Sequence, residues 1–191
     1  EQIEILDKAL SNLREHYVDN SWHLFLWGFL GLAGCFTHYW LITISEYHLI
    51  KWCWLSVMVI GSAVEIVHGL FAKSEPQSFS ILEKSIGILW GLLGVSQCFL
   101  AFIAPMLKLI SYSAVIPLIM LQIWVGLLFT GLLIKFKPLI VLSNFWLVGI
   151  ILILSFPSIS QVLVLAAALF IGYLIPGYLL KAEGKALHAG L

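Results

Sequence analysis

Only one carboxylate lies deep within an apolar run of this sequence: Glu65, in the stretch SAVEIVHGL. His68 follows three residues later, so on a helix the two side chains share a face. Di-iron carboxylate bundles use a Glu-x-x-His pair of this kind twice, with further carboxylates. Here the pair occurs once, so a di-iron centre is not expected. His23 and His38 are the histidines that could join it. At about 1.5 Å of rise per residue, His23 and His68 fall within roughly 6 Å of the same end of their runs, with Glu65 one turn deeper, whereas His38 sits roughly 24 Å away from that end. His38 and His68 therefore cannot ligate one haem iron. His23, Glu65 and His68 can meet, either as a metal or haem ligand set or as a hydrogen-bonded group that satisfies buried polar atoms. A proton-coupled role for Glu65 is the remaining chemistry. His38, with Thr37 and Tyr39, is expected to line a small polar pocket towards the other end.

No other constellation competes. There is no P-loop, dinucleotide-binding glycine pattern, His-Glu-x-x-His or Ser-His-Asp arrangement, so no catalytic residues are assigned and the chain is read as leaning away from an enzyme. Cys35, Cys53 and Cys98 lie in apolar stretches without a C-x-x-C spacing and read as small packing residues. Gln97, Gln122 and Asn144 are amides suited to hydrogen bonds between helices.

The elements that position these residues must live in lipid. Of 191 residues, 61% are hydrophobic and 10% charged, with zero formal net charge, against about 25% charged in a soluble domain. The lipid bilayer is thus the first partner, and the charge balance offers nothing to nucleic acid. Six runs are long enough to cross a bilayer as helices: about 22–44, 50–72, 81–103, 112–134, 138–156 and 160–180. Ser45–His48, Lys73–Ser78, Lys135–Pro138 and Phe156–Ser160 separate them, Ser80 and Glu83 have capping-box spacing, and Pro105 is expected to end the third run. Pro117 and Pro176 are candidate kinks. The fold class is therefore all-α: a polytopic membrane bundle of six helices over 21–181, preceded by an amphipathic helix over 1–20 and followed by a tail over 182–191.

Lys8, Arg14, Lys73, Lys84, Lys135, Lys137, Lys181 and Lys185 fall at one end of this arrangement, and only Lys51 and Lys108 at the other. The positive-inside rule then puts both termini in the cytoplasm. Residues 1–20 carry one apolar stripe, Ile3, Leu6, Leu10, Leu13 and Tyr17, and an acidic polar face. Lipid-surface helices usually present a basic face, so this one is expected to bind protein, by packing on the bundle, on a partner or on a second copy. An acidic amphipathic segment before the first apolar run also argues against a signal peptide.

The phrase LWGFLGLAGCF, Leu26–Phe36, recurs 63 positions later as LWGLLGVSQCF, Leu89–Phe99. The second, fourth and sixth runs end alike, in GLFAK, GLLIK and GYLLK. Two or three tandem helical hairpins follow, with Trp146 and Gly149 as the trace of the phrase in the fifth run. Gly28, Gly31 and Gly34 in the first run, and Gly87, Gly91 and Gly94 in the third, are expected to bring helices into close contact, because helices in lipid associate through small residues.

The segments LFLWGFLGLAGCFTHYW, GLLIKFKPLIV and YLIPGYLLK resemble a group of uncharacterised bacterial inner-membrane proteins. The resemblance implies the six-span architecture, a short N-terminal helix before the spans and a bacterial inner-membrane location. It assigns no activity and no site residues. The expected function is a non-enzymatic regulatory, assembly or partner-binding membrane subunit, with a protein partner or a second copy bound through residues 1–20. The alternatives are a small transporter or ligand-binding subunit using Glu65 and His38, and a haem or metal protein using His23, Glu65 and His68. No cofactor is expected on the first reading.

Overall fold

The computed structural model describes residues 21–71, 81–156 and 160–188. The expected amphipathic helix over 1–20 and the Lys73–Ser78 break lie outside the described residues. Among those described, every regular element is helical, and six helices are long and apolar enough to cross a membrane. They are α1 (Trp22–Thr43), α2 (Ile50–Phe71), α3 (Ile81–Cys98, continuing to Met106), α4 (Tyr112–Leu133), α5 (Lys137–Ser155) and α6 (Gln161–Leu169, continuing to His188). An integral membrane protein fits this set, since a helix satisfies its own backbone in lipid. The last helix runs to His188, so it extends past residue 181 into the segment expected as the tail.

Two helices carry a wide π turn, and in both the cause is proline. Phe99–Ile103 precedes Pro105 in α3, and Phe170–Leu174 precedes Pro176 in α6. Proline offers no N–H and its ring clashes with the carbonyl four residues back. One π turn absorbs that clash without ending the helix. α3 ends at Met106, one residue past Pro105, close to the sequence expectation, whereas Pro117 sits inside a continuous α4.

Three turns share one stop signal. Ser45, Lys108 and Lys135 have positive φ. The next residue's N–H reaches back five residues, from Glu46 to the Leu41 carbonyl, from Leu109 to Ala104 and from Phe136 to Gly131. This is the Schellman closure, which satisfies the last carbonyls of a helix. Ser45 and Lys108 stand 63 residues apart, the same offset as the repeated phrase, so the repeat extends from the start of α1 and α3 to their caps.

The helices form a row in the order α2, α1, α6, α5, α4, α3. Sequence neighbours in each hairpin run antiparallel, and α6 closes onto α1 through Gly28 against Leu174 and Gly31 against Leu169. α6 is the centre: 56% of its apolar window is buried, against 6% in both α2 and α3 at the ends of the row. The core lies between α4, α5 and α6, around Met120, Leu127, Leu139, Trp146, Leu165 and Leu169. α2 packs on α1, and α3 on α4. Most of the surface of these two end helices faces outward.

Candidate functional site

At the end of the bundle that holds the start of α1 and the end of α2, Glu65 is hydrogen-bonded to two side chains of α1. His23 Nδ1 lies 2.8 Å from Glu65 Oε1, and Trp27 Nε1 donates to the same oxygen at 3.0 Å. An indole N–H can only donate, so Oε1 is an acceptor in this arrangement. The Trp27 ring reaches Glu65 because Gly61, one turn earlier on α2, has no side chain: a methyl there would sit 2.5 Å from the ring.

His68 does not join the carboxylate. Its ring packs on Trp22 at 4.2 Å between centroids, and edge-on to His23 at 6.3 Å. Among the described residues no three His, Cys, Asp or Glu side chains are placed to hold a metal ion. The ligand set His23, Glu65 and His68 is therefore not assembled as sequence depth suggested: matching depth is satisfied, but the aromatic face of Trp22 takes up the third member. His38 is remote from this cluster. It accepts a hydrogen bond from Trp54 Nε1 at Nδ1, 3.1 Å, near the other end of the same α1–α2 contact. Thr37 and Tyr39 are exposed, so the expected three-residue pocket is replaced by one bond across two helices.

The glycines divide sharply. A methyl at Gly28 or Gly31 would meet α6 at 2.5 and 2.9 Å, and at Gly34 it would meet Val57 and Trp54 of α2 at 3.1 and 3.2 Å. At Gly87, Gly91 and Gly94 it would meet nothing within 4 Å. Among the described residues these three glycines therefore have no packing neighbour. The reason is position in the row: α1 has a helix on either side, whereas α3 is the last helix and its glycine-bearing face has no neighbour among the described residues.

The same geometry recurs in the other hairpins, and sequence reading missed it. In the second, the Trp90 ring covers Gly126, and its Nε1 donates to Thr130 Oγ1 at 3.1 Å. In the third, the Trp146 ring lies against Gly172. Each odd helix thus sends a tryptophan onto a glycine of the next even helix. Four residues past the glycine stands Glu65, Thr130 or Pro176. Pro176 has no hydroxyl or carboxyl to offer, and the fully buried Trp146 has no acceptor for its indole N–H. The Gly-x-x-x-acceptor spacing opposite a tryptophan was legible in GSAVE and GLLFT, had the tryptophans been considered as donors. The matching helix endings are a poorer guide. Gly131 packs on Ile140 of α5 and Gly177 on Leu24 of α1, while Gly69 meets nothing. The α2 ending is displaced by three residues from the register that packing shares.

No protein-family model, curated protein or solved structure matches this chain. What can be said of function therefore rests on these contacts.

Proposed function

We propose that the chain is a non-enzymatic membrane subunit that works through a partner helix or a second copy, in a bacterial inner membrane with both termini cytoplasmic. The observation that supports this most directly is the open face of α3. Gly87, Gly91 and Gly94 leave its backbone uncovered among the described residues, and helices in lipid associate where small residues let backbones approach. The basic asymmetry supports the orientation, because Lys84, Lys135, Lys137, Lys181 and Lys185 share one end of the described helices and Lys51 and Lys108 the other.

A photo-cross-linking amino acid at Ile88, 63% exposed on α3, tests the reading against Ile151, 61% exposed on α5. In intact cells position 88 should yield a discrete protein adduct, and position 151 only lipid. Gly91→Leu should abolish the adduct. Lipid adducts alone at both positions would overturn the reading.

A second reading is favoured by one observation. Thr130 fills in the second hairpin the place that Glu65 fills in the first. A titratable group is thus not required by the scaffold there, which supports ligand or proton binding at Glu65 and His23. Glu65→Gln retains an acceptor for Trp27 but cannot ionise. Loss of ligand- or pH-dependent behaviour with the fold intact would favour this reading over the first.

A further inference from the structure

α2 is held to its own chain by α1, and two of the three hydrogen bonds between ring and side-chain groups that fasten it there run through histidines, the third being Trp27 to Glu65. Near one end His23 binds Glu65, and near the other Trp54 donates to His38. The second hairpin joins α3 to α4 through groups that do not titrate near neutrality: Trp90 to Thr130, and Gln122 to Ser96 at 2.6 Å. By the offset of 63 residues for odd helices, His23 and His38 correspond to Ile86 and Ala101. Two equivalent hairpins thus differ in whether their fastenings can change charge.

The two histidine bonds respond to protons in opposite ways. Trp54 can only donate, so His38 Nδ1 must be unprotonated to receive it, with the ring hydrogen on Nε2. A protonated imidazole carries hydrogen on both nitrogens and cannot accept. At the other end, protonating His23 converts its bond to Glu65 into an ion pair, which keeps the helices together. We propose that α2 is a proton-released arm. Acidification through the imidazole range frees its first half from α1 at His38, while the His23–Glu65 end stays fastened as the pivot. His38 is half-buried and lies five residues, about 7.5 Å, from the end of α1, within reach of interfacial water.

The other titratable groups around this contact are few. α1 contributes Cys35 and Tyr39, α2 contributes Lys51 and Cys53, and the connecting turn carries Glu46 and His48, paired with each other at 3.2 Å. Cys53 is turned to the Gly34 carbonyl. At the pivot end His68 lies on Trp22, and Lys181 of α6 lies over Phe25.

Hydrogen exchange of the full chain in lipid nanodiscs, read by mass spectrometry at about pH 8 and about pH 5, the two limits of the imidazole range, tests the proposal. After correction for intrinsic exchange, peptides covering residues 50–60 should exchange about three- to tenfold faster at the lower pH, the consequence of losing one hydrogen bond. Peptides from α1 and α6 should not change. His38→Asn places an amide oxygen where Nδ1 was and should hold α2 at the slow rate at both values. Trp54→Phe removes the donor and should give the fast rate at both. The His38→Asn comparison decides alone if Trp54→Phe does not fold. A wild-type chain that does not respond overturns the proposal. So does a His38→Asn variant that responds like wild type, or a rise shared equally by α1 and α6.

Discussion

Pro176→Thr should stabilise this protein, although it changes a fully buried residue in its most buried helix. Pro176 occupies the place where Thr130 receives the Trp90 indole in the second hairpin, and the Trp146 indole opposite it has no acceptor. A buried donor without a partner costs about 1–3 kcal/mol. Polar contacts between membrane helices recover less, about 0.6 kcal/mol on average and up to about 1.7. The hydroxyl itself should therefore contribute about 0.6–1.7 kcal/mol. Removing the proline ring and restoring an N–H adds a second, separate effect, and Pro176→Val isolates it: valine has the shape of threonine without the hydroxyl. The quantity of interest is the difference between Pro176→Thr and Pro176→Val, measured by reversible unfolding in mixed micelles. In a Trp146→Phe background, which lacks the indole N–H, that difference should vanish. If threonine is no better than valine, or if the advantage survives without the indole, the equivalence of the three hairpins at this position is wrong.

Gly61→Ala should destabilise by about 1–3 kcal/mol, the usual cost of overpacking, because its methyl would meet the Trp27 ring at 2.5 Å; Gly91→Ala, with nothing within 4 Å, should be neutral or gain up to about 1 kcal/mol in the same unfolding assay on the isolated chain. Glu65→Thr copies the second hairpin and should leave the fold intact, whereas Glu65→Leu strands the Trp27 N–H and should lower stability by about 1–3 kcal/mol; thermal melting in detergent separates the two. A membrane-impermeant thiol reagent applied to intact cells should label Glu46→Cys and not Lys185→Cys, and the reverse pattern would invert the orientation.

The six spans were legible in the sequence because lipid imposes a simple rule: about 20 apolar residues per crossing, interrupted by Ser45–His48 and Lys135–Pro138 as the structure has them. The proximity of His23 and Glu65 was legible too, since residues at equal depth on consecutive antiparallel helices are natural neighbours. What apolar runs do not encode is which helix stands beside which. No periodicity predicted that α6 inserts between α1 and α5, so Gly28 and Gly91 read alike although one is covered and the other bare. The fate of His68 was hidden for a related reason. Its i+3 spacing from Glu65 put it on the correct helix face, but the competing surface, the Trp22 ring, belongs to another helix. Pro105 marks the end of α3 to within one residue; the π turn that precedes it was not legible, because the apolar run shows only where a helix can cross lipid and not how its turns are wound.

Comparison among the hairpins separates what the scaffold needs from what one hairpin adds. All three keep the tryptophan and the glycine, as Trp27 on Gly61, Trp90 on Gly126 and Trp146 on Gly172; an indole seated on bare backbone joins two helices by area and shape alone, which suits a medium that supplies no hydrophobic drive between helices. The acceptor beyond the glycine is dispensable, since the third hairpin folds around Pro176 without one. At the flanking positions the register pairs His23 with Ile86, and His68 with Leu133, so apolar side chains serve there equally well. Histidine and glutamate fasten the α1–α2 contact, where one face of α2 is its attachment, whereas among the described residues the α3–α4 contact, built to the same plan, is fastened by Trp90 on Thr130 and Gln122 on Ser96. Selection for packing alone would not produce that asymmetry. On the proposed reading of α2 as a proton-released arm, the α1–α2 hairpin is where ionisable groups have been added to a repeated structural unit, and His38 and Trp54 are the residues whose replacement should alter its pH response.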